Sequence, residues 1–296
     1  MKLNYEAQFV PYKACNRAGK GPALVFAPHS DDEAIGCGGA IIKHVDNNEL
    51  VHVVIVTDGR LGDHGLAMKI RQGIGSETEV NDYIAIRQQE SCKAGDILGY
   101  GKPLFWGITD RELACDEKMV KKVNEAINLF KPCAVYSPSI YEMHPDHRTL
   151  AMIVLKAIGR LDRKPDLFMY EIGRPMPSPD ILLDITDQWD QKMSAVRSFK
   201  SQLKVCPFHE YTFSLNMFRS FTLPVDVKMA EAYLVIRGHD FNNRIKDILM
   251  DEFRDRGKGQ YAAHKDSFPR TLAGRIFSPG VAAVVRALKQ IFQRER

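Results

Sequence analysis

Five short apolar runs, separated by segments of helical character, constrain the fold of this chain more than any other feature of its sequence. The runs occupy residues 23–27, 51–57, 104–106, 134–137 and 166–172. Continuous apolar runs of this length are typical of parallel strands that are buried on both faces. Parallel strands need long crossover connections, which the intervening helices supply. The sequence therefore predicts an α/β protein with a Rossmann-like, doubly wound, mostly parallel sheet.

The segments between the runs carry helical periodicity and end signals. Helices are predicted over residues 35–44, 81–98, 117–130 and 147–158. Asn81 is expected to cap the second of these helices, and Gly99 to end it. The glycine-rich stretch from Gly59 to Gly75 is predicted to be a loop.

The strand and helix alternation ends at a proline-rich segment. Residues 173–179 contain three prolines in five positions, which neither a helix nor a central strand can accommodate. Beyond it we expect a strand over 181–185, a helix over about 187–202 and a strand over 232–236. One domain is predicted over residues 1–262, with a core at about 22–175 and an elaboration at 176–262, followed by a tail at 263–296.

The tail is basic and ends in a predicted amphipathic helix. From His264 to Arg296 there are seven basic residues and two acids, a net charge of +5. The whole chain carries +4, so the remainder sums to about −1, and a nucleic-acid-binding protein is not indicated. Residues 281–292 place apolar side chains on one helical face. We expect this helix to dock on the protein, with peripheral contact to an anionic membrane or a lipid-linked substrate as the alternative.

Composition limits the compartment and the use of the cysteines. No apolar stretch reaches the roughly 18 residues of a membrane span, and the polar start Met1–Glu6 lacks the apolar core of a signal peptide. The six cysteines form no C-x-x-C pair, so neither a zinc knuckle nor a disulfide framework is indicated. A cytoplasmic location is expected, with the inner membrane face as a peripheral alternative.

Two clusters of histidines and acids follow the first and fourth apolar runs. One is Pro28-His29-Ser30-Asp31-Asp32-Glu33, and the other runs from Tyr141 to His147. Loops that leave parallel strands meet at the carboxyl edge of the sheet, where open α/β sheets bind ligands. His29, Asp32 and His147 would then supply three protein ligands with a fourth position open, the pattern of catalytic zinc. Bound zinc would lower the pKa of a water molecule to about 7 and supply hydroxide.

The remaining members of the clusters suit acid and base roles. The side chain of Asp31 should diverge from that of its neighbour Asp32, which leaves it free to act as a general base. His144 lies one helical turn from His147, and Asp146 or another carboxylate could fix an imidazole tautomer and keep the ring protonated. Such an imidazole would stabilise an oxyanion and protonate a leaving amine. The constellation predicts amide hydrolysis.

Each cluster taken alone has an ordinary structural explanation, because acids stabilise helix N-termini and single histidines often pack or cap. Gly36-Cys37-Gly38-Gly39 invites a dinucleotide-binding interpretation, but position 41, where a third glycine is needed, is Ile41. Close packing of helix against sheet explains these glycines better. Arg60 and His64, in the following loop, are weaker candidates for the pocket mouth.

These motifs resemble those of the PIG-L / LmbE-like zinc-dependent N-acetylglucosaminyl deacetylases. Residues 27–33 are similar to the A-H-P-D-D-E signature of that family, and residues 144–147 to its H-x-x-H element. The resemblance covers approximately residues 22–240. It implies an LmbE-like fold in which the metal ligands are His29, Asp32 and His147. It also implies that Asp31 is the general base, that His144 is the general acid and oxyanion partner, and that Asp146 supports His144. The residues that contact the sugar would be Arg87 and Asp110.

The chain departs from the family pattern in two places. Ser30 stands where proline is usual, while Pro28 precedes the histidine. Glu142 stands where some relatives place a tyrosine that binds the oxyanion. The ligand spacing is intact despite both changes.

The resemblance implies removal of an N-acetyl group from an N-acetylglucosamine unit that is attached to a lipid, a thiol precursor, an antibiotic or another glycan. Zinc is the expected cofactor, with iron(II) as an alternative. Two other functions stay open from the sequence. One is cleavage of a larger sugar-linked amide, such as a thiol conjugate, and the other is sugar binding by a metal-bearing protein without catalysis.

Overall fold

A computed structural model describes residues 14–248, and the structural statements below concern that part of the chain. The predicted basic tail at 263–296 and its helix lie outside it. The strands are β1 (Ala14–Cys15), β2 (Ala23–Ala27), β3 (Val51–Thr57), β4 (Leu104–Ile108), β5 (Ala134–Pro138), β6 (Asp166–Tyr170), β7 (Ile181–Asp184) and β8 (Ala230–Ile236). The helices are α1 (Asp32–Asp46), α2 (His64–Arg71), α3 (Glu77–Leu98), α4 (Glu117–Phe130), α5 (Pro145–Gly159), α6 (Trp189–Val196), α7 (Lys200–Leu203) and α8 (Phe208–Arg219). A 3-10 turn at Gly238–Asp240 leads into helical residues 241–248.

All the described strands join one sheet in the order β1-β7-β8-β6-β5-β2-β3-β4. Every pair in it is parallel except the two that β8 makes, with β6 and with β7. The predicted mostly parallel, doubly wound sheet is confirmed. β3 and β4 lie on one side of β2, whereas β5 and β6 lie on its other side. The boundary between β2 and β5 is therefore the topological switch point, where a crevice opens at the carboxyl edge.

Two apolar layers enclose the sheet. Alternate side chains of β2 enter different layers, Leu24 and Phe26 on one face and Val25 on the other. Helices α4 and α5 pack together and cover the first face, while α1, α3 and α6 pack together over the second. Burial on both faces is the reason why the central strands are mostly apolar.

Two predictions near the glycine-rich stretch are wrong, one of a loop and one of a helix start. Residues 59–75 are not simply a loop, because they contain α2, which Asp63 caps by accepting the N–H of Leu66. Helix α3 begins at Glu77 rather than after Asn81, because Ser76 and Glu79 form a reciprocal capping box. The S-x-x-E spacing was a sequence signal for this start.

The predicted helix over 187–202 is two helices, α6 and α7, with a break between them. The carboxylate of Glu90, on α3, accepts the backbone N–H of Ser201 at 2.8 Å and its hydroxyl at 2.6 Å. A side chain on a different helix thus accepts a free backbone N–H in the first turn of α7. Because this partner is distant in the sequence, no local signal such as glycine or proline marks the break.

Helix α1 is interrupted, and a buried glutamate accepts backbone N–H groups just after the interruption. Cys37 has non-helical dihedral angles, φ −141° and ψ 23°. The carboxylate of Glu231, on β8, accepts the N–H groups of Gly39 at 2.7 Å and Ala40 at 3.0 Å. Close packing explains the glycines as expected, because a Cβ on Gly36 would lie 2.2 Å from the ring of Tyr170.

Among residues 14–248, no helix is both long and apolar enough to cross a membrane.

Candidate metal and catalytic site

The two histidine and acid clusters meet at the switch point. His29 and Asp31 lie in the loop after β2, and Asp32 is the first residue of α1. His144 is the N-cap of α5, the helix that follows β5, and His147 lies in its first turn. Because β2 and β5 are parallel neighbours, their carboxyl ends carry both loops to the same crevice.

Three ligand-type atoms converge there. Nδ1 of His29 lies 3.0 Å from Oδ2 of Asp32, and Nε2 of His147 lies 3.2 Å from the same oxygen. The two ring nitrogens are 3.3 Å apart. A tetrahedral ion with bonds of about 2.0 Å separates its ligands by about 3.3 Å, so this triangle has the size of one face of such a site.

A carboxylate pair stands behind His29. Its Nε2 lies 3.4 Å from Oδ2 of Asp146 and 3.6 Å from Oδ1 of Asp110. The sequence predicts that Asp146 supports His144, but the carboxylate of Asp146 turns to His29 because it also accepts the N–H of Arg111 at 2.8 Å. The hydrogen bond of Asp146 to His144 is made by its backbone N–H, at 3.2 Å from Nδ1, whereas its carboxylate lies within 4.8 Å of a ring nitrogen of His144.

A further carboxylate, for which the sequence predicts no role, stands behind His147. Oε2 of Glu142 lies 3.4 Å from Nδ1 of His147. Glu142 is fully buried and also accepts the N–H groups of Ile172 at 2.7 Å and Gly173 at 3.1 Å. These bonds fix the carboxylate, so it can hold the imidazole with Nε2 free for a metal ion. A glutamate two residues before H-x-x-H was the only available signal.

Asp31 has a strained backbone. Its φ of 137° is rare for any residue with a Cβ, and such strain costs about 1–3 kcal/mol. The N–H of Asp31 donates to the buried carboxylate of Glu33 at 3.2 Å. Glu33 in turn accepts the hydroxyls of Ser91 at 3.3 Å and Tyr100 at 3.1 Å. This buried network holds the strained turn in place.

Arg87 and Asp110, the predicted sugar contacts, are both buried and both line the pocket. The guanidinium of Arg87 donates to the carbonyl oxygens of Ser30 at 2.6 Å and Gly59 at 3.0 Å, and lies 3.4 Å from the carboxylate of Asp31. Arg87 therefore braces the loop that carries Asp31. Burial raises the pKa of Asp31 to about 7. The positive charge of Arg87 opposes this increase, whereas the negative charge of Asp32 adds to it.

His144 is neutral near pH 7 in this arrangement. Burial, together with the charges of the nearby His29 and His147, lowers its pKa to about 4. Nδ1 accepts a backbone N–H, so the single ring proton belongs on Nε2. This differs from the expected protonated imidazole, because the two other histidines repel a positive charge.

The electrostatics of the triangle favour a cation. Burial opposes ionisation of Asp32, but His147 and His29 together hold its pKa well below the usual range. Burial likewise opposes protonation of His147, yet Asp32 and Glu142 raise its pKa to about 9. The carboxylates around the triangle thus outnumber the permanently charged cations. In the absence of a metal ion, protons on the imidazoles balance this negative charge, and a bound metal ion would take over that role.

The triangle forms the floor of a pocket of about 450 Å³. Its lining includes His29, Asp31, Asp32, Leu61, Arg87, Asp110, Arg111, Glu142, Met143, His144, His147, Ile172, Gln202 and Phe208. Arg60 and His64 are not among the lining residues. Ring nitrogens of His29, His144 and His147 also lie within 4.8 Å of one another. The set with Asp32 is more compact, which favours it over this trio of imidazoles.

A larger cavity of about 670 Å³ lies elsewhere, beside the amino ends of β5 and β6. Its lining is basic, including Lys20, Lys131 and Arg163, and its acid, Asp166, pairs with Arg237 at 2.7 Å. It contains no histidine and no pair of carboxylates, so the smaller pocket is the candidate for chemistry.

The part of the chain that carries this site is similar to known proteins. Residues 24–158 match the family described as PIG-L: GlcNAc-PI de-N-acetylase. The chain is 29% identical over 195 residues to 4-oxalmesaconate hydratase of Pseudomonas putida, covering 61% of this chain and 73% of that protein. It is also 29% identical over 196 residues to diacetylchitobiose deacetylase of Thermococcus kodakarensis, covering 60% and 69%.

A solved structure shows the same fold. The N,N'-diacetylchitobiose deacetylase from Pyrococcus horikoshii superposes with a TM-score of 0.62 at 21% identity, covering 81% of this chain and 89% of that one. The sheet order and the histidine and carboxylate crevice define an open α/β protein with a candidate site at the switch point. The matched residues, 24–158, contain both clusters, and this part of the chain is similar to the PIG-L family.

Proposed function

We propose that this protein is a metal-dependent hydrolase that removes the N-acetyl group from an N-acetylglucosamine-type sugar conjugate. The observation that carries the proposal is the compact triangle of His29, Asp32 and His147 at the floor of an open pocket, next to the strained Asp31. The family match and the similarity to a diacetylchitobiose deacetylase supply the reaction class.

The donor set fits a divalent ion. Two imidazoles and a carboxylate form a common catalytic zinc set, and iron(II) accepts the same ligands. Nε2 of His29 and Nδ1 of His147 are buried without a hydrogen bond of normal geometry, and each faces a carboxylate. Such carboxylates orient the imidazole and raise its basicity as a ligand. When bound, the ion would supply Lewis acidity toward water and toward the amide carbonyl.

Asp31 and His144 take separate roles in the reaction. We assign the general base to Asp31, because a carboxyl group with a pKa of about 7 accepts a proton near neutral pH. We assign His144 to the carbonyl oxygen, where its Nε2–H would stabilise developing negative charge. Hydrolysis breaks the C–N bond and the acyl carbon gains the oxygen of water. We assign to Asp31 the return of the water proton to the departing amine, because a neutral His144 with its one ring proton on Nε2 is too weak an acid to donate it.

A neutral sugar suits the charge of the pocket. Its lining includes the carboxylates of Asp31, Asp32, Asp110 and Glu142, against the guanidinium groups of Arg87 and Arg111. Arg87 is already engaged by two carbonyl oxygens. Carboxylates accept hydrogen bonds from sugar hydroxyls, so we retain Asp110 as a sugar contact and give Arg87 a positioning role beside it.

Hydration of an unsaturated acid is the second candidate. It is favoured by one observation, the 29% identity to 4-oxalmesaconate hydratase, which equals the identity to the deacetylase. A carboxylate substrate calls for several free cations in the pocket. The described lining residues include two arginines, and the guanidinium of Arg87 is already engaged within the site, which leaves Arg111. One such cation favours the deacetylase over the hydratase.

The discriminating experiment incubates the metal-loaded protein with a panel of N-acetylglucosamine conjugates and, separately, with conjugated unsaturated acids. We expect acetate and free amine in equal amounts from the first panel and no loss of ultraviolet absorbance in the second. A larger acid in place of acetate would identify a different amidase. Hydration without any acid release would replace the proposal with the hydratase.

Asp31→Asn is the variant that completes this test. It should lower turnover by a factor of at least about 100, the usual contribution of a general base, while the metal content stays unchanged. His147→Ala should instead lose the metal. A normal rate for Asp31→Asn would contradict the base assignment, and sugar binding without turnover in the wild type would indicate a binding protein.

Peripheral membrane contact through the basic tail remains a separate proposal. It rests on the helical periodicity of the apolar residues in the sequence at 281–292 and on the net charge of +5 in the sequence from His264 onward. Deleting residues 271–296 should reduce co-sedimentation with anionic vesicles. Equal sedimentation of the two chains would refute it.

A further inference from the structure

Helix α8 has its polarity reversed. Its buried residues are all polar, namely Thr212, Asn216 and Arg219. Its exposed side and the turn after it carry large apolar side chains: Tyr211 59% exposed, Phe213 43%, Met217 52%, Phe218 61% and Phe221 59%. A surface helix ordinarily buries its apolar stripe and exposes its polar one, so this orientation needs a cause.

Buried polar contacts fix that orientation. Asn216 accepts a hydrogen bond from Lys192 at 2.8 Å and donates to the carbonyl of Ala230 at 3.0 Å. Arg219 donates through Nε to the carboxylate of Glu171 at 3.0 Å. Rotating α8 to bury its aromatic residues would leave Lys192 and Glu171 as buried charges short of partners, which is strongly unfavourable.

The exposed apolar side of α8 has the size and composition of a protein interface. With Val225, which is 65% exposed, six side chains each show about half of their surface, or roughly 600 Å² together. That area is at the upper end of the roughly 300–600 Å² of the largest apolar patch on a typical monomer, and it approaches the 800 Å² or so that each partner buries in a stable complex. Tyrosine, phenylalanine and methionine are the residues enriched in such interfaces.

Charge argues against a lipid surface. Helices that lie on membranes carry lysine or arginine on the polar flank to meet anionic headgroups. In α8 the one such residue is Arg219, and Glu171 neutralises it in the interior. Glu210, which is negatively charged, lies on the exposed side of α8. The hydroxyl of Ser214, on the same side, donates to the backbone carbonyl of Glu210 at 2.8 Å.

We propose that this surface, formed by Tyr211, Phe213, Met217, Phe218, Phe221 and Val225, pairs with the same surface of a second copy of this chain. Closed twofold dimers are the commonest assemblies of soluble proteins, and a twofold axis places one apolar patch against its own equivalent. The exposed area is close to what one side of such a dimer needs. Phe208, the first residue of α8, lines the active-site pocket, so the dimer contact lies on the helix that begins at the pocket edge.

Sedimentation velocity of the full chain, with matched lysine substitutions, tests the dimer. Phe218 is the penultimate residue of α8, and Leu129, 72% exposed, is the penultimate residue of α4 on another surface. We expect the wild type and Leu129→Lys to sediment as dimers at micromolar concentration. Phe218→Lys should raise the dimer dissociation constant about 1000-fold, the effect of two interface aromatic residues lost together, one from each copy.

Thermal unfolding separates loss of pairing from loss of folding. If Phe218→Lys does not fold, Tyr211→Lys, which changes a different turn of α8, gives the same comparison. A monomeric wild type would overturn the proposal. That holds if residues 249–296 cover the surface, and it holds equally if the surface binds lipid vesicles instead. A dimer that persists in both α8 variants would overturn it as well.

Discussion

Asp31 shows how a single residue is held in a conformation that its own chemistry disfavours. Its φ of 137° belongs to a region where a Cβ meets the backbone, yet a buried network through Glu33 and Arg87 fixes it there. Nothing in the residue types announces this strain. It arises because the turn between β2 and α1 must aim Asp32 and Asp31 in different directions, as the divergence of neighbouring side chains predicts.

The strain predicts a stability difference between two variants that both remove the carboxylate. Asp31→Gly should be more stable than Asp31→Ala by about 1 kcal/mol, because glycine adopts positive φ without a Cβ clash. Urea unfolding of the two proteins measures the difference. The comparison isolates the backbone, since neither variant can contact Arg87. Equal unfolding free energies would mean that the turn relaxes without strain.

Glu142 is predicted to tune metal affinity. Glu142→Gln removes the negative charge behind His147 and places an amide donor against a backbone N–H, so the imidazole loses its fixed orientation. Metal affinity should fall about 10- to 100-fold, as for other carboxylates that hold a ligating histidine. Competition with a chelator measures it directly. Glu112→Gln, at an exposed position, should bind metal as the wild type does.

At the scale of elements, tertiary contacts decide where helices start, stop and face. The capping box of α3 was readable from residues 76–79, whereas the break between α6 and α7 depends on Glu90 of another helix. The same holds for α1, whose second half begins with N–H groups that Glu231 of β8 accepts. A local pattern cannot report a partner that is distant in the chain, so these boundaries escape the sequence.

The Lys192 and Glu231 pair predicts a large stability effect. The two side chains are fully buried and 2.7 Å apart, and both also bond to neutral groups. Lys192→Met should lower the unfolding free energy by about 3 kcal/mol, because it leaves Glu231 charged and buried. The double variant Lys192→Met/Glu231→Gln should recover part of that loss. Additive effects in the cycle would show that the pair is not coupled.

At the scale of the whole molecule, the candidate site joins two loops that are more than a hundred residues apart in sequence. A ligand that bridges them binds the folded chain and not the unfolded one. Zinc or iron(II) should therefore raise the unfolding free energy by about 2.7 kcal/mol when present at about 100 times its dissociation constant. Differential scanning calorimetry with and without chelator measures the shift. His147→Ala should show no shift, and a shift that persists in that variant would place the ion elsewhere.

The sequence by itself determined the strand and helix alternation, the parallel sheet, and the spacing of His29, Asp32, His144 and His147. Those features depend on residues close together in the chain and on the rule that parallel strands present their carboxyl ends at one edge. Only the tertiary structure decided that Asp146 faces His29, that Glu142 faces His147, and that α8 turns its aromatic residues outward. Each of these depends on which groups from other elements are buried beside it, because a buried charge must have a partner wherever the fold happens to bring one.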